Sequence, residues 1–301
     1  SADRSHVIGA FTSLNNKPTG GFATGLVYGD DVILEYFEPA GADPGQIRIN
    51  KIVSGYRYID VATFGLEGAD PTGVEEDFGG SGGCQVNINC PEGSAWQDEK
   101  RSVAMILVSG TRWCSGSLVS TTRDDCTPYF LTADHCLTDG YDAVSNPNMT
   151  NWSFYWMYES PGCTDGSAEP IPFVTNGATL VANDAPSDFA LLLLSESPVD
   201  AGANPYFNGW NATTSIGSGG VGIHHPSGDI RKIATHSLSP APDNWFGGAA
   251  GSHWEVLPWD ATPNGQSVTE GGSSGSPLFN ANGQVVGQLH GGSSINCSNP
   301  S

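Results

Sequence analysis

No stretch of this chain sustains a helical period of apolar residues, and this decides its fold class before any motif is considered. Short strand-like runs recur instead. They include Val103–Val108, Tyr129–Thr132, Ser153–Tyr158, Thr179–Val181 and Phe189–Leu194, then Val221–Ile223, Ile230–Ala234, Trp254–Leu257 and Val285–Leu289. Many short strands broken by frequent turn signals predict an all-β sandwich or barrel. The 40 glycines, 20 prolines and 14% charged residues suit such a loop-rich β protein.

Residues 1 to about 74 read differently from the rest of the chain. They contain no cysteine and two β-type runs, Val32–Phe37 and Ile47–Val53, separated by the turn-forming Pro39-Ala40-Gly41-Ala42-Asp43-Pro44-Gly45. An acidic linker, 68–77, comes next, and the cysteines begin only past Gly79. The expected organisation is a small β-rich segment with its linker over 1–78, a first barrel over 79–200 and a second over 201–301.

A net charge of −21 argues against nucleic acid as a partner, because a phosphate backbone would be repelled. No apolar run approaches the roughly 20 residues needed to span a bilayer, so no membrane is expected. The start carries no basic-then-apolar leader, which is expected where a leader has been removed or lies upstream. Seven cysteines (Cys84, Cys90, Cys114, Cys126, Cys136, Cys163 and Cys297) point to disulfides in an exported chain, with one left over. Zinc is the competing use, but there is no Cys-x-x-Cys pair.

Three short boxes carry the chemistry. Phe130-Leu131-Thr132-Ala133-Asp134-His135-Cys136 supplies a base, Ser187-Asp188-Phe189 a carboxylate, and Gly271-Gly272-Ser273-Ser274-Gly275-Ser276-Pro277 a nucleophile. A serine hydroxyl needs a base to take its proton, and imidazole has a suitable ordinary pKa. A buried carboxylate then fixes the tautomer and stabilises the imidazolium. The N–H groups of Gly272 and Ser274 are expected to form an oxyanion hole in the glycine-rich turn. Each box alone reads as a loop or a strand end. Their His, Asp, Ser order is the trypsin-like one, unlike that of α/β-hydrolases or subtilisins.

From Gly79 onward the chain resembles the lysyl endopeptidase family of secreted bacterial trypsin-like serine proteases. Besides the three boxes, the resemblance rests on Gly82-Gly83-Cys84, Cys90-Pro91-Glu92-Gly93 and Cys114-Ser115-Gly116-Ser117-Leu118-Val119. Ile223-His224-His225-Pro226 and Gly287-Gln288-Leu289-His290-Gly291-Gly292 complete it. It implies a trypsin-like double β-barrel, with His135 as general base, Asp188 as its orienting carboxylate and Ser274 as nucleophile. It also implies disulfides Cys114–Cys136, Cys90–Cys163 and Cys84–Cys297, leaving Cys126 as the odd thiol. Polypeptide substrates, no metal or organic cofactor, secretion and a monomeric state are further implications. Residues 1–78 resemble the propeptide ends of such precursors, notably at Leu34-Glu35-Tyr36-Phe37-Glu38-Pro39 and Gly55-Tyr56-Arg57, and a propeptide acting in cis is expected.

Departures from the family pattern shape the remaining expectations. Ser273 stands where trypsin relatives carry the aspartate that pairs with a freed amino terminus, so activation must work otherwise. The family's lysine-selecting aspartate falls beyond Ser301, and the sequence is expected to be a fragment. The junction near Gly79 offers Glu75 and Glu76 rather than a basic residue, which keeps a glutamate-cleaving enzyme of the same fold as the alternative. His290 is then a wall of the substrate pocket or a structural histidine. Trp245 and Phe246 fall where the family places a pocket aromatic that could hold a lysine stem, contributing about 1 kcal/mol; a plain core role is the alternative. His224 and His225, adjacent on a strand, should face opposite ways and be structural. Asn148, Asn151 and Asn211 fit the glycosylation pattern without functional weight in a bacterial export. A protease-like binding module without turnover, and a non-peptidic esterase, are the rival readings.

Overall fold

The computed structural model describes residues 1–301 apart from Asp3, Thr19, 28–30, Pro44, 54–77, Thr111, Asp124, 138–148, Ser167, Phe246, Gly247, 293–296 and 298–301. The architecture is all-β, as expected. The strands are β1 (Val86–Asn87), β2 (Val103–Val108), β3 (Arg112–Val119), β4 (Tyr129–Ala133), β5 (Ser153–Trp156), β6 (Phe173–Asn176), β7 (Ala178–Asp184) and β8 (Phe189–Leu194). They continue with β9 (Gly220–His224), β10 (Lys232–His236), β11 (Ala241–Asp243), β12 (His253–Glu255), β13 (Ala261–Thr262), β14 (Gly265–Gln266), β15 (Pro277–Asn280) and β16 (Val285–Gln288). Two antiparallel sheets dominate, ordered β6-β5-β2-β3-β4-β8-β7 and β1-β10-β9-β15-β16. Although β1 comes early in the chain, it joins the second sheet, so the chain crosses between the two sheets at its start as well as in the middle.

The run Val103–Val108 is apolar without alternation because both faces of β2 are covered. Ala104, Ile106 and Val108 enter the core of the first sheet with Phe130, Phe154 and Trp156. Met105 and Leu107 enter a second cluster with Trp113, Tyr155, Tyr158 and Ile230. A third cluster, holding Val86, Ile88, Ile223, Ile233 and Phe279, fills the second sheet. Among the described residues, no helix is long and apolar enough to cross a membrane.

The first 53 residues depart from expectation. Val32–Phe37 and Ile47–Val53 form no strands among their described residues, and Phe37 and Ile52 are 80% and 79% exposed. Alternation produces a strand only where a neighbouring ladder and a core receive it, and here neither does. Gly55-Tyr56-Arg57 and the 68–77 linker lie outside the described residues.

What anchors this segment is a buried ion pair. Lys17 Nζ lies 2.6 Å from Glu196 Oε1, with side-chain exposures of 4% and 17%. Glu196 Oε2 also accepts Asn176 N at 2.7 Å. Further along, Leu26 N donates to the Tyr155 hydroxyl at 3.2 Å, and Leu26 packs on the Met105 cluster. Lys17→Ala leaves Glu196 largely buried without its cation, at a cost of about 3 kcal/mol. The expected result is faster limited proteolysis within residues 1–27, with fragments from 79 onward unchanged.

Candidate active site

His135 lies in a 3₁₀ turn, Asp134–Leu137, directly after β4, and Asp188 directly precedes β8. Because β4 and β8 pair with Ala133 opposite Phe189, the two residues leave the same end of adjacent strands. Asp134 N donates to Asp188 O at 2.8 Å, which pins the strand ends together. The Asp188 carboxylate, 3% exposed, then takes both donors of the next residue: His135 N reaches Oδ1 at 2.8 Å, and His135 Nδ1 lies 2.7 Å from Oδ2. Asp188 has φ +56, a left-handed conformation that an aspartate holds only under constraint. The Gln288 amide accounts for part of that constraint by donating to Asp188 O at 2.7 Å.

Ser274 approaches from the second sheet, at the start of β15. Its loop is locked onto the first sheet by Ser115 of β3, which is fully buried. Ser115 N donates to Ser274 O at 2.7 Å, and Ser115 Oγ donates to Gly272 O at 2.9 Å while accepting His225 N at 3.1 Å. Ser115 O accepts the Thr132 hydroxyl at 2.8 Å, closing the link to β4. Gly275, at φ +81, fits so closely here that a Cβ would stand 2.5 Å from Ser115 O and 2.7 Å from Ala133 N. The Cys114–Cys136 disulfide flanks the same corner, with Cys136 Sγ 3.9 Å from Ser274 O. Cys84–Cys297 and Cys90–Cys163 are also bonded, and Cys126 is the free, exposed cysteine.

Within the nucleophile loop, Ser273 N donates to Glu270 O at 3.0 Å and Gly275 N to Leu289 O at 2.8 Å. Among the described residues, the alternating donors Gly272 N and Ser274 N have no acceptor. Uncommitted backbone N–H groups beside a serine are the kind of donor that a developing oxyanion needs.

His224 and His225 are buried and diverge. His224 Nδ1 is 2.7 Å from Ser273 Oγ, whereas His225 Nδ1 is 2.9 Å from Asp229 O. Burial, helped by the Lys232 charge, holds His224 at about 3 against an ordinary 6.5. The unfolded chain therefore binds a proton that the folded chain refuses, and stability declines as pH falls below 6.5. Denaturant titrations are expected to show a loss of about 2 kcal/mol between pH 6.5 and 4.5 from this group, reduced in His224→Gln.

His253 and Ser252 extend the site beyond the residues that the sequence marks. Ser252 Oγ is 2.8 Å from His253 Nδ1, His253 Nε2 is 2.9 Å from His290 Nδ1, and His290 Nε2 is 3.7 Å from Asp188 Oδ2. Burial lowers the His290 pKa and Asp188 opposes it, while His135 and His253 lower it further. Neutral rings give one consistent proton order: the hydroxyl donates to His253, His253 to His290, and His290 toward Asp188. His290 also stacks on His135, with ring centroids 5.8 Å apart. Trp245 lies in the connection between β11 and β12, and Phe246 lies outside the described residues. His253 of β12 also sets its ring against His290, at 5.2 Å between centroids.

His135, Asp188 and His290 also hold their ligand atoms within 4.8 Å of one another, as do Cys84, Glu270 and Cys297. The two cysteines are joined in a disulfide, so no thiolate remains for a metal.

A family profile described as lysyl endopeptidase, C-terminal domain, matches residues 78–301. A lysyl endopeptidase of Pseudomonas aeruginosa is 28% identical over 89% of this chain and 55% of its own length. A secreted RxLR effector protein of Plasmopara viticola is 23% identical over 91% of this chain and 65% of its own length. A solved Glu endopeptidase structure is 17% identical, covering 73% of this chain and 90% of that one at a TM-score of 0.43. The chain thus spans less than two thirds of either curated relative.

Proposed function

The chain belongs to the lysyl endopeptidase family, and from that premise we propose that it is a secreted serine endopeptidase cutting polypeptides after lysine. The observation that carries this reading is the bidentate hold of Asp188 on His135, with the Ser274 loop fastened to the same sheet end through Ser115. His135 takes the Ser274 proton as Oγ attacks the scissile carbonyl, and the oxyanion meets Gly272 N and Ser274 N. Collapse passes the proton from His135 to the leaving amine, and water then hydrolyses the acyl-enzyme by the same route. This route draws on no cofactor.

Both ring nitrogens of His290 face protein partners, His253 on one side and Asp188 on the other. That supports a positioning role for His290. It leaves the glutamate-cleaving alternative without a free imidazole nitrogen to hold an acidic side chain. In this reading residues 1–78 are a propeptide acting in cis, 79–200 and 201–301 are the two barrels, and the processed enzyme is a monomer.

Digestion of a mixed peptide library by the processed enzyme, read by mass spectrometry against a Ser274→Ala control, tests the proposal. Cuts after lysine are expected. Cuts after glutamate would restore His290 as the selector, and a pattern matching the control would leave a binding module.

A further inference from the structure

The start of the family domain is held by carboxylates from the two loops that shape the oxyanion site. Gly79 N donates to Asp229 Oδ1 at 2.8 Å, and Ser81 donates to Asp229 Oδ2 through N at 3.3 Å and Oγ at 2.5 Å. Gly82 N is shared by the two oxygens of Glu270, at 3.2 and 3.1 Å. Residues 79–82 therefore strap the 225–229 turn to the 270–274 loop.

The first of these loops braces the second. Asp229 N donates to Pro226 O at 2.8 Å, and Ser227 N donates to Gly271 O at 2.6 Å. Gly272, at φ +86, packs so closely that a Cβ would stand 2.9 Å from His225 O, 3.0 Å from Ser227 N and 3.1 Å from Gly228 N. Whatever fixes Asp229 therefore fixes the wall behind Gly272.

The charges around the strap do not balance. The Asp229 side chain, 1% exposed, faces Lys232 Nζ at 3.4 Å, but Lys232 is shared with Asp165 at 3.1 Å. Among the described residues, no cationic side chain pairs with Glu270. Two carboxylates thus share one ammonium, Glu270 beside them pairs with no cation, and what Gly79 contributes is the dipole of a neutral peptide N–H. Gly79 is exposed with φ +81, Phe78 before it packs half-buried on the Met105 cluster, and the family match begins at residue 78.

We propose that Asp229 is the receptor for a free amino terminus at Gly79, and that forming this ion pair sets the oxyanion loop. An endopeptidase hydrolyses Phe78–Gly79 with one water, leaving a carboxylate on Phe78 and an ammonium on Gly79. The ammonium takes the position the peptide nitrogen already holds. Ser273, standing where trypsin relatives carry the receiving aspartate, is then no obstacle, because the receptor lies on the neighbouring loop. The inference rests on the reading of Gly272 and Ser274 as the oxyanion donors.

The test uses the full chain with residues 73–78 replaced by the recognition sequence of a foreign endopeptidase, so that cutting frees Gly79. A companion carries one extra serine before Gly79. Two readouts are taken: the rate at which a fluorophosphonate labels Ser274, and the melting temperature. The Gly79 form is expected to label about tenfold faster than the serine-extended form and to melt higher, within the usual range of site coupling. Asp229→Asn is expected to abolish both differences. Equal labelling of the two cut forms overturns the inference. If no form labels, the endopeptidase reading fails, and melting alone decides: a higher value for the Gly79 form keeps the ammonium site, and equal values remove it.

Discussion

Asp188→Asn is expected to lower kcat about 10⁴-fold while leaving the fold intact. The carboxylate has two tasks, accepting His135 N at 2.8 Å and His135 Nδ1 at 2.7 Å. An asparagine of the same shape keeps the backbone contact through its carbonyl. Its amide then presents N–H toward Nδ1, which favours the tautomer with its proton on Nε2 and removes the base that Ser274 needs. The substitution also changes what His290 meets on its Nε2 side, 3.7 Å from Oδ2. Steady-state kinetics on a chromogenic lysyl ester, with melting measured in parallel, checks the outcome. A fall below tenfold with unchanged melting would remove Asp188 from the catalytic role.

The largest expected loss of stability is at Arg231, whose side chain is fully buried just before β10. It pairs with Glu159 and donates to Val103 O at 2.7 Å, joining the second sheet to the first. Glu159 also holds Lys100 Nζ at 2.6 Å, so two cations share one carboxylate. Burial pushes the Glu159 pKa up, but Arg231, Lys100 and Asn89 together bring it below its usual 4.5. Arg231→Ala opens a cavity and unbalances a buried ion cluster, at about 3–5 kcal/mol. For a chain of this size the melting temperature should fall by about 10 °C. Because the folded Glu159 pKa is depressed, its contribution is full above the unfolded value and is lost as pH falls through the folded one. The variant's deficit should therefore shrink in acid below about pH 4.5, which calorimetry across pH would show.

The three boxes are legible because each adjoins a strand whose pattern is local. Tyr129–Ala133 and Phe189–Leu194 form where the sequence predicts, and their pairing alone places His135 beside Asp188. The pattern at Ile230–Ala234 predicts a strand, yet β10 starts at Lys232. Ile230 and Arg231 are buried by contacts between sheets, which no local period encodes. Ser115 appears in the sequence only as part of a motif, since its role depends on hydrogen bonds to residues more than a hundred positions away. His253 opens β12 one residue before the run Trp254–Leu257 that the sequence marks, and nothing local singles out its ring. Asp229 and Glu270 read as ordinary loop acids. The apolar alternation at 32–37 and 47–53 misleads because a pattern states what a strand could bury, not whether a partner is there.

In the proposed mechanism the base His135 and its carboxylate Asp188 belong to one sheet and the nucleophile Ser274 to the other, with Ser115 and Arg231 among the fastenings between them. Turnover therefore gauges the seam between the two halves of the molecule. A slip of an ångström along it would silence the chemistry while each sheet kept its own ladder, so active-site titration should fall before circular dichroism does. Heat or denaturant would then switch the proposed activity off while the chain is still largely folded, ahead of the state in which it becomes a substrate for its neighbours.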